Sequence, residues 1–473
     1  MTPAAQDTDI SGLTSDSRRV EPGFLFAALP GTRVHGGTFI PQALERGAAA
    51  VLAPGQFELP ADSRVPHLVD DDPRRRFALM AARFFGAQPE TVAAVTGTNG
   101  KTSVTDFLRQ IWTRLGNRAA SLGTLGLDAP GFRVAGNLTT PDPVDLHRTL
   151  GRLADDGVQF LAMEASSHGL AQYRLDGVEV AAAAFTNLSR DHLDYHGTME
   201  SYLESKLRLF SHILADGGVA VVNADSACAD AVLGACRKRG HRIVTYGAEG
   251  DDIRLEKTRL LPDGQRLELA VYGCARAITL PLIGGFQAEN ALAALALALA
   301  LGSDADPAVA ALESLETVPG RVQRIGRLAN GAVAYVDYAH TPDALASVLK
   351  ALRPHARARL HVVFGCGGER DPGKRPEMGR VASELADVVI VTDDNPRGEA
   401  PAAIRKEILA ASESAREIGE RAQAIAAAVD DLGPGDLLVV AGKGHEKGQI
   451  VGDEVRPFDD AETVAAALGG AAP

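Results

Sequence analysis

Little in this chain of 473 residues offers a covalent staple, a membrane anchor or a basic surface. It has four cysteines, Cys228, Cys236, Cys274 and Cys366, and no two sit at the close spacing of a metal site. A chain of this size folds without disulfides, so reduced thiols and a cytoplasmic location are expected. The opening MTPAAQDTDI carries two acids and no apolar core, unlike a secretory leader. The Ala/Leu run ALAALALALAL at 291–301 is too short to span a bilayer and reads as a buried helix. Lys and Arg total 48 against 61 Asp and Glu, a net charge of −13 that speaks against general nucleic-acid binding. Anionic small molecules stay open, because Gly-rich loops hold them through backbone N–H groups. There is no short-period repeat and no low-complexity tail.

What is present is globular: 45% hydrophobic and 23% charged residues. The chain is too long for one core and divides into three α/β segments. Residues 1–88 mix strand-like FLFAAL and AAAVLA with a helical FIPQALERGA, and GAQPE (86–90) reads as a joint. Residues 89–318 alternate apolar strands (TVAAV, VQFLAMEA, VAAAAFTNL, GGVAVVNAD) with helices, the rhythm of a mainly parallel sheet. A second joint, ETVPGR (316–321), precedes 319–473, where AVAYVDY, LHVVFG, DVVIVTDD and DLLVVAG alternate with helices in a Rossmann-like order.

TVAAVTGTNGKTSV (91–104) predicts strand, Gly-rich turn and helix, with Val104, Phe107, Leu108, Ile111, Trp112 and Leu115 on one helix face and Gly116 at its end. Backbone N–H groups from Thr96 through Thr102 (Gly97, Thr98, Asn99, Gly100 and Lys101 between them) would cradle phosphates. Lys101 would reach the outer phosphates, and the Thr102 hydroxyl would ligate Mg²⁺. The usual longer loop needs Gly where Val95 stands, so this is a shorter G-x-x-G-K-T variant. The competing reading is a plain turn that contains a lysine.

Two further strands end in polar clusters. LAMEASSHGL (161–170) ends in Glu164, Ser166, Ser167 and His168, and FTNLSRDHLDYHG (185–197) in Asn187, Asp191, His192, Asp194 and His196. In a parallel sheet both lie at the carboxyl edge beside the phosphate loop, where a carboxylate and imidazoles are candidate metal ligands. Each alone reads equally as a satisfied surface group. Lys206, in SYLESKLRLF, reads as a solvated helix charge. DVVIV breaks into Asp393, Asp394, Asn395, Pro396 and Arg397, more charge than a turn needs. The bland alternative is a solvated turn that caps the next helix.

Taken in order, these motifs resemble the Mur ligase family, ATP-dependent enzymes that add amino acids to the peptidoglycan precursor. TSDSRRVEPGFLFAALPGTRVHGGTFIPQALERGA resembles the UDP-binding domain of the member that adds the third residue. TGTNGKTS, NLTTPDP, EASSHGL, NLSRDHLDYHG and ESKLRLF resemble the central ATPase. DYAHTPDAL, GCGGERDPGKRP, TDDNPRGE and AGKGHE resemble the C-terminal domain. The resemblance spans nearly the whole chain. It departs at His35 and Gly36, where the family usually shows Asp-Gly.

The resemblance implies an acyl-phosphate ligase joining meso-diaminopimelate to a UDP-muramoyl dipeptide, acting as a monomer with ATP and Mg²⁺. It implies that Thr102, Glu164, His192 and a CO₂-carbamylated Lys206 hold the metal. Asn290, Arg321, Asp337 and His340 would approach the nucleotide, although Asn290 also reads as a helix N-cap. Ser17, Asn137, Thr139, Thr140, Ser166, Gln172 and Arg174 would hold the muramoyl dipeptide. Arg370, Asp394, Asn395, Pro396, Arg397, Gly442 and Glu446 would hold diaminopimelate. A lysine-adding relative, folylpolyglutamate synthase and a regulatory or transport ATPase are the rivals. No apolar run ends in the Asp-Glu pair of a hydrolytic ATPase.

Overall fold

A computed structural model of the chain describes residues 8–31, 34–60, 63–136, 138–412 and 414–469. Three sheets follow one another along the sequence. The first has four parallel strands, Gly12–Thr14, Phe24–Ala27, Ala50–Ala53 and His67–Val69, in that order. The buried FLFA and AVLA runs give it a core on both faces, as parallel strands require. Helix Pro73–Phe85 then packs its buried Phe77, Ala78 and Ala81 toward helix Pro143–Asp155 of the next segment.

The second sheet has eleven strands. Its parallel centre places Thr91–Thr96 between Phe160–Glu164 and Val180–Phe185, so the phosphate loop and both polar clusters emerge at one carboxyl edge. Helix Lys101–Arg114 buries Val104, Phe107, Leu108, Ile111 and Trp112 on one face, with Leu115 partly buried beyond its end. Gly116 follows at φ +85°, the left-handed turn that ends such a helix. The Ala/Leu run forms helix Gly285–Ala300, which is buried almost all round and packs against the loop helix. Each Leu buried there contributes about 1.5–3 kcal/mol of transfer free energy, which rigidifies the platform under the loop.

The parallel reading of this segment is incomplete. Ile253–Leu261, Gly264–Val271 and Cys274–Leu280 form an antiparallel arm at one edge, and Gly126–Ala129 with Phe132–Val134 extend the other. The signal was present in RLELAV, where buried Leu267, Leu269 and Val271 alternate with exposed Arg266 and Glu268.

The third sheet runs Gln323–Arg327, Val333–Asp337, Leu437–Ala441, Leu360–Phe364, Val388–Val391 and Arg416–Glu417, parallel except for its first pair. Leu437–Ala441, Leu360–Phe364 and Val389–Val391 are buried. Helices Pro342–Leu352, Lys374–Leu385 and Pro401–Leu409 alternate with these strands, as the sequence predicts. A hairpin, Gly448–Val451 with Glu454–Pro457, lies outside that expectation and proves important to the site.

Candidate functional site

The phosphate loop leaves its strand through Gly97, at φ +149°, and turns into the helix at Gly100, at φ +90°. A Cβ on Gly100 would lie 2.4 Å from Asn290 Oδ1, so the close approach of the Ala/Leu helix also requires glycine here. Asn290 is therefore no helix cap. It sits in the second turn of Gly285–Ala300 and donates to Gln287 Oε1 at 3.1 Å.

A cavity of about 390 Å³ opens above the loop. Thr98, Asn99, Gly100, Lys101 and Thr102 line it, facing Glu164, His192, Asn290, Arg321, Asp337 and His340. That volume lies within the usual range for small-ligand sites. Thr96 and Gly97 stand behind this wall: Thr96 is fully buried at the strand end, and Gly97 contributes its carbonyl oxygen. Two lysines converge on that oxygen, Lys101 Nζ at 2.9 Å and Lys206 Nζ at 2.8 Å.

Lys206 is not a solvated helix charge. Its side chain is 1% exposed, its Nζ lies 4.3 Å from the Tyr202 ring centre, and among the described residues it forms no ion pair. Burial drives its pKa well below the ordinary lysine value, and the Lys101 charge pushes the same way. Burial also lowers Lys101, which Glu164 and Asp191 partly offset.

Glu164 is buried at the end of its strand, with Thr124 donating to both oxygens: N–H to Oε1 at 2.7 Å and hydroxyl to Oε2 at 3.1 Å. His192 has φ +54°, lies 3.4 Å from Asp191 and packs edge-on to His168. Burial pushes His192 down to about 4, so its imidazole is neutral near pH 7. Among the described residues no three His, Cys, Asp or Glu side chains form a metal cage. A carboxylate, a hydroxyl and a neutral imidazole around open space instead fit Mg²⁺, which keeps waters and takes phosphate oxygens.

The linker to the third sheet reaches into the cavity. Arg321 Nη2 donates to Thr102 Oγ1 at 3.2 Å, and its guanidinium lies 4.5 Å from the Tyr338 ring centre. Asp337 lines the cavity but is held from behind, accepting from Val322 N–H and Ala339 N–H at 2.7 Å each. Burial raises it to about 6 despite the Arg321 charge. His340 Nδ1 meets Tyr338 O at 2.9 Å.

The residues assigned to the muramoyl dipeptide form one polar chain beside Glu164. Thr139 Oγ1 lies 3.1 Å from Thr124 Oγ1, and Thr140 Oγ1 donates to Glu164 O at 2.9 Å. Ser166 bonds Thr140 and caps helix Ser167–Ala171. Arg174 donates to Thr140 O at 2.7 Å and to Gln172 Oε1 at 2.8 Å, and Gln172 donates to Tyr195 OH at 3.1 Å. Ser17 lies apart in the first segment, buried, and donates to Gln42 Oε1 at 2.7 Å. Asn137 lies outside the described residues. The departure at His35 has a physical account: its Nδ1 accepts from Gly37 N–H at 3.0 Å, doing the capping work open to an Asp, and its ring stacks on Phe57.

A second cavity, of about 220 Å³, is lined by Arg370, Asp394, Asn395, Arg397, Gly442 and Glu446 among others. Pro396 shapes the turn from outside the cavity, its carbonyl accepting from Glu399 N–H at 3.1 Å. Of the two acids, Asp393 is taken by Arg405, which leaves Asp394. Arg397 has φ +52°, a strained conformation for a side-chain-bearing residue. The overlooked hairpin imposes it: Arg397 N–H donates to Ile450 O at 3.1 Å, and Gly452 N–H to Arg397 O at 2.8 Å. Nη1 donates to Gly368 O at 2.8 Å, leaving the Nε–Nη2 edge without a hydrogen-bond partner among the described residues. Asn395 is less free than the sequence suggests. Its Oδ1 accepts from Lys443 Nζ at 3.0 Å and Ile450 N–H at 2.9 Å, and its Nδ2 donates to Glu446 Oε2 at 2.9 Å. Lys443 was missed, although it stands inside AGKGHE between Gly442 and Glu446.

Comparison with known proteins places this geometry in a lineage. Three family models match in order: "Mur ligase family, catalytic domain" over residues 9–85, "Mur ligase middle domain" over 95–298 and "Mur ligase, glutamate ligase domain" over 320–444. A UDP-N-acetylmuramoyl-L-alanyl-D-glutamate--2,6-diaminopimelate ligase from Bradyrhizobium diazoefficiens is 54% identical over 470 residues, covering 98% of this chain and 96% of the relative. The ligase of the same name from Rhizobium meliloti is 54% identical over 466 residues, covering 98% and 96%. A solved structure of a ligase of that name matches with 36% identity and a TM-score of 0.70, covering 98% of this chain and 95% of the other. With such identity along nearly its whole length, and with three domains matched in order, the chain belongs to the Mur ligase family.

Proposed function

We propose that the chain is an ADP-forming, ATP-dependent amide ligase that adds meso-2,6-diaminopimelate to UDP-N-acetylmuramoyl-L-alanyl-D-glutamate in peptidoglycan precursor synthesis. The observation that carries this reading is the meeting of the two cavities, for Asp191, His192, Tyr338 and His340 line both. A phosphoryl group delivered from one side and an amine from the other arrive at a common wall, as ligation through an acyl phosphate requires. Relatives 54% identical over nearly the whole chain bear that activity in their names.

The substrate carboxylate attacks the γ-phosphorus of ATP and ADP leaves, giving an acyl phosphate. The diaminopimelate amine attacks the acyl carbon, and phosphate leaves as the amide forms. The chain contributes positioning and charge. Loop N–H groups from Thr98 to Thr102 and the Lys101 ammonium hold the triphosphate, with Asn290, Arg321 and His340 closing over the nucleotide. Thr102, Glu164, His192 and a carbamylated Lys206 would hold Mg²⁺, which supplies charge neutralisation at the phosphates. The Thr139–Arg174 polar chain orients the muramoyl dipeptide. The Nε–Nη2 edge of Arg397 takes the far carboxylate of diaminopimelate, while Asp394 and Glu446 take its far ammonium. Lysine lacks that carboxylate and would leave Arg397 unpaired, a mismatch that hydrogen-bonding sites reject by about 10⁴-fold or more.

The unit boundaries proposed are 1–88, 89–318 and 319–473, close to the extents of the three family models. A monomeric, cytoplasmic enzyme is proposed with them. No helix among the described residues is long and apolar enough to cross a membrane. The test is incorporation of meso-diaminopimelate or L-lysine into the UDP-muramoyl dipeptide by purified enzyme with ATP. ADP release should require both amide partners, and diaminopimelate should be strongly preferred. Equal use of lysine would move the assignment to a lysine-adding ligase, and ADP release without either partner would move it to an ATPase.

A further inference from the structure

Lys443 belongs to neither cavity wall, yet it is 0% exposed and set directly behind the second one. Lysines are rarely buried completely unless paired. Here Nζ donates to Glu446 Oε2 and to Asn395 Oδ1, both at 3.0 Å. The loop that carries it is fixed on both sides, by Gly442 at φ +116° and Gly444 at φ +55°. Gly442 N–H donates to Asp337 O at 3.1 Å, and a Cβ on Gly444 would meet Tyr338 at 2.7 Å, so the loop sits tightly against the strand that also serves the nucleotide cavity.

This placement does two things. It helps fill the acceptor side of Asn395, whose Oδ1 already takes two donors while Nδ2 donates to Glu446, so Asn395 orients the wall and does not itself receive the ligand ammonium. It also bonds Glu446 Oε2, the oxygen that accepts from Asn395. In charge terms, the side chains that line this cavity bring five carboxylates against four Lys or Arg cations. Lys443 adds one positive charge that no ligand touches. With that charge the sum is balanced, which suits a net-neutral amino acid end bearing both carboxylate and ammonium; without it an excess carboxylate would favour an end bearing ammonium alone.

We propose that Lys443 is a specificity-determining positioning residue. It fixes Asn395 and Glu446 and biases the pocket toward a zwitterionic substrate end and against a cationic one. This rests on the reading of the second cavity as the amino acid site. The experiment measures wild type, Lys443→Met and Lys443→Gln with meso-diaminopimelate and with L-lysine, each with saturating ATP and UDP-muramoyl dipeptide. Lost hydrogen bonds to charged groups correspond to roughly 10- to 100-fold. KM for diaminopimelate in Lys443→Met should rise by about that factor, while kcat and the KM values for ATP and dipeptide stay within about threefold. The preference for diaminopimelate over lysine should fall at least about tenfold, with Lys443→Gln, which keeps a donor, intermediate. A general structural role would lower kcat and raise all three KM values together, and that result overturns the proposal. So does an unchanged preference in folded Lys443→Met. Should Lys443→Met fail to fold, the same split in Lys443→Gln decides. A wild-type enzyme that ignores diaminopimelate overturns the reading of the site itself, and this proposal with it.

Discussion

Lys206 and Lys443 are the two lysines below 2% exposure among the described residues, and they are buried for opposite ends. Lys443 is paired, with a carboxylate and an amide oxygen each 3.0 Å away. Lys206 has a single carbonyl oxygen, already shared with Lys101, and no ion pair. A buried cation without a counter-charge gives up its proton. The consequence is chemical, because a neutral amine attacks CO₂ where an ammonium cannot. In the carbamylation proposed for Lys206, the N–C bond would form, a proton would leave, and the cation site would become an anion with two oxygens. Burial with a partner builds a wall, and burial without one builds a nucleophile.

The strongest way to break this comparison is Lys206→Ala. Loss of an anionic group beside the triphosphate should cost about 10⁴-fold in kcat, in the range of other charge-stabilising groups in phosphoryl transfer. Added short carboxylic acids should restore part of the rate by filling the vacated space. Unaltered activity without additive would remove the carbamate from the mechanism. Lys101→Ala comes next, with an expected loss of about 10³-fold in kcat. It should also raise the pKa of Lys206, because the neighbouring ammonium is one cause of the depression. That sharpens the contrast: CO₂ capture by Lys101→Ala, read by mass or by ¹³C-labelled CO₂, should weaken at neutral pH.

The sequence disclosed the frame of both sites but not every residue in them. GTNGKT between an apolar strand and an amphipathic helix is a local signal, and local geometry produced it. The DVVIV strand and its turn were equally legible, because a buried strand followed by charge is visible in a few residues. Lys206 was legible only through the resemblance of ESKLRLF, since by periodicity SYLESKLRLF looks like any solvated amphipathic helix until Gly97 and Tyr202 are folded around it. Lys443 was hidden because its burial depends on Asn395, 48 residues away in sequence. The hairpin Gly448–Val451 with Glu454–Pro457 is short and partly exposed, so its alternation is faint, yet it sets the strained backbone of Arg397. Long-range partners, which sequence patterns do not contain, decided all three.

Arg397→Lys probes the wall that Lys443 supports. A lysine keeps the charge but loses the planar fork, and it cannot bond Gly368 O and a ligand carboxylate edge together. The expected loss is about 10²-fold in kcat/KM for diaminopimelate, with lysine use unchanged. An equal loss for both amino acids would place Arg397 outside the recognition of the far carboxylate.

The smallest effect expected is the one that separates burial for folding from burial for function. Asp436 lies just before the strand Leu437–Ala441, at the opposite end from Gly442 and Lys443. Burial alone would raise its carboxyl. The Arg359 side chain at 2.8 Å, the N–H groups of Arg359 and Gly433, each at 2.8 Å, and His361 at 3.1 Å outweigh that and hold it at about 2. A carboxylate lowered in the folded state stabilises fully above its unfolded value, near 3.8, and loses that contribution as pH falls toward 2. Asp436→Asn should therefore cost about 1.5–3 kcal/mol at pH 7, in the range of hydrogen bonds to charged groups. Its deficit against wild type, measured by urea unfolding, should shrink between about pH 4 and pH 2. Ligation by the folded variant should match wild type at pH 7, since Asp436 lines neither cavity. A constant deficit across that window would remove the carboxylate's charge as the cause. A loss of diaminopimelate use would show that the strand carries strain from one end to the other, joining the two kinds of burial that Lys206 and Lys443 otherwise keep apart.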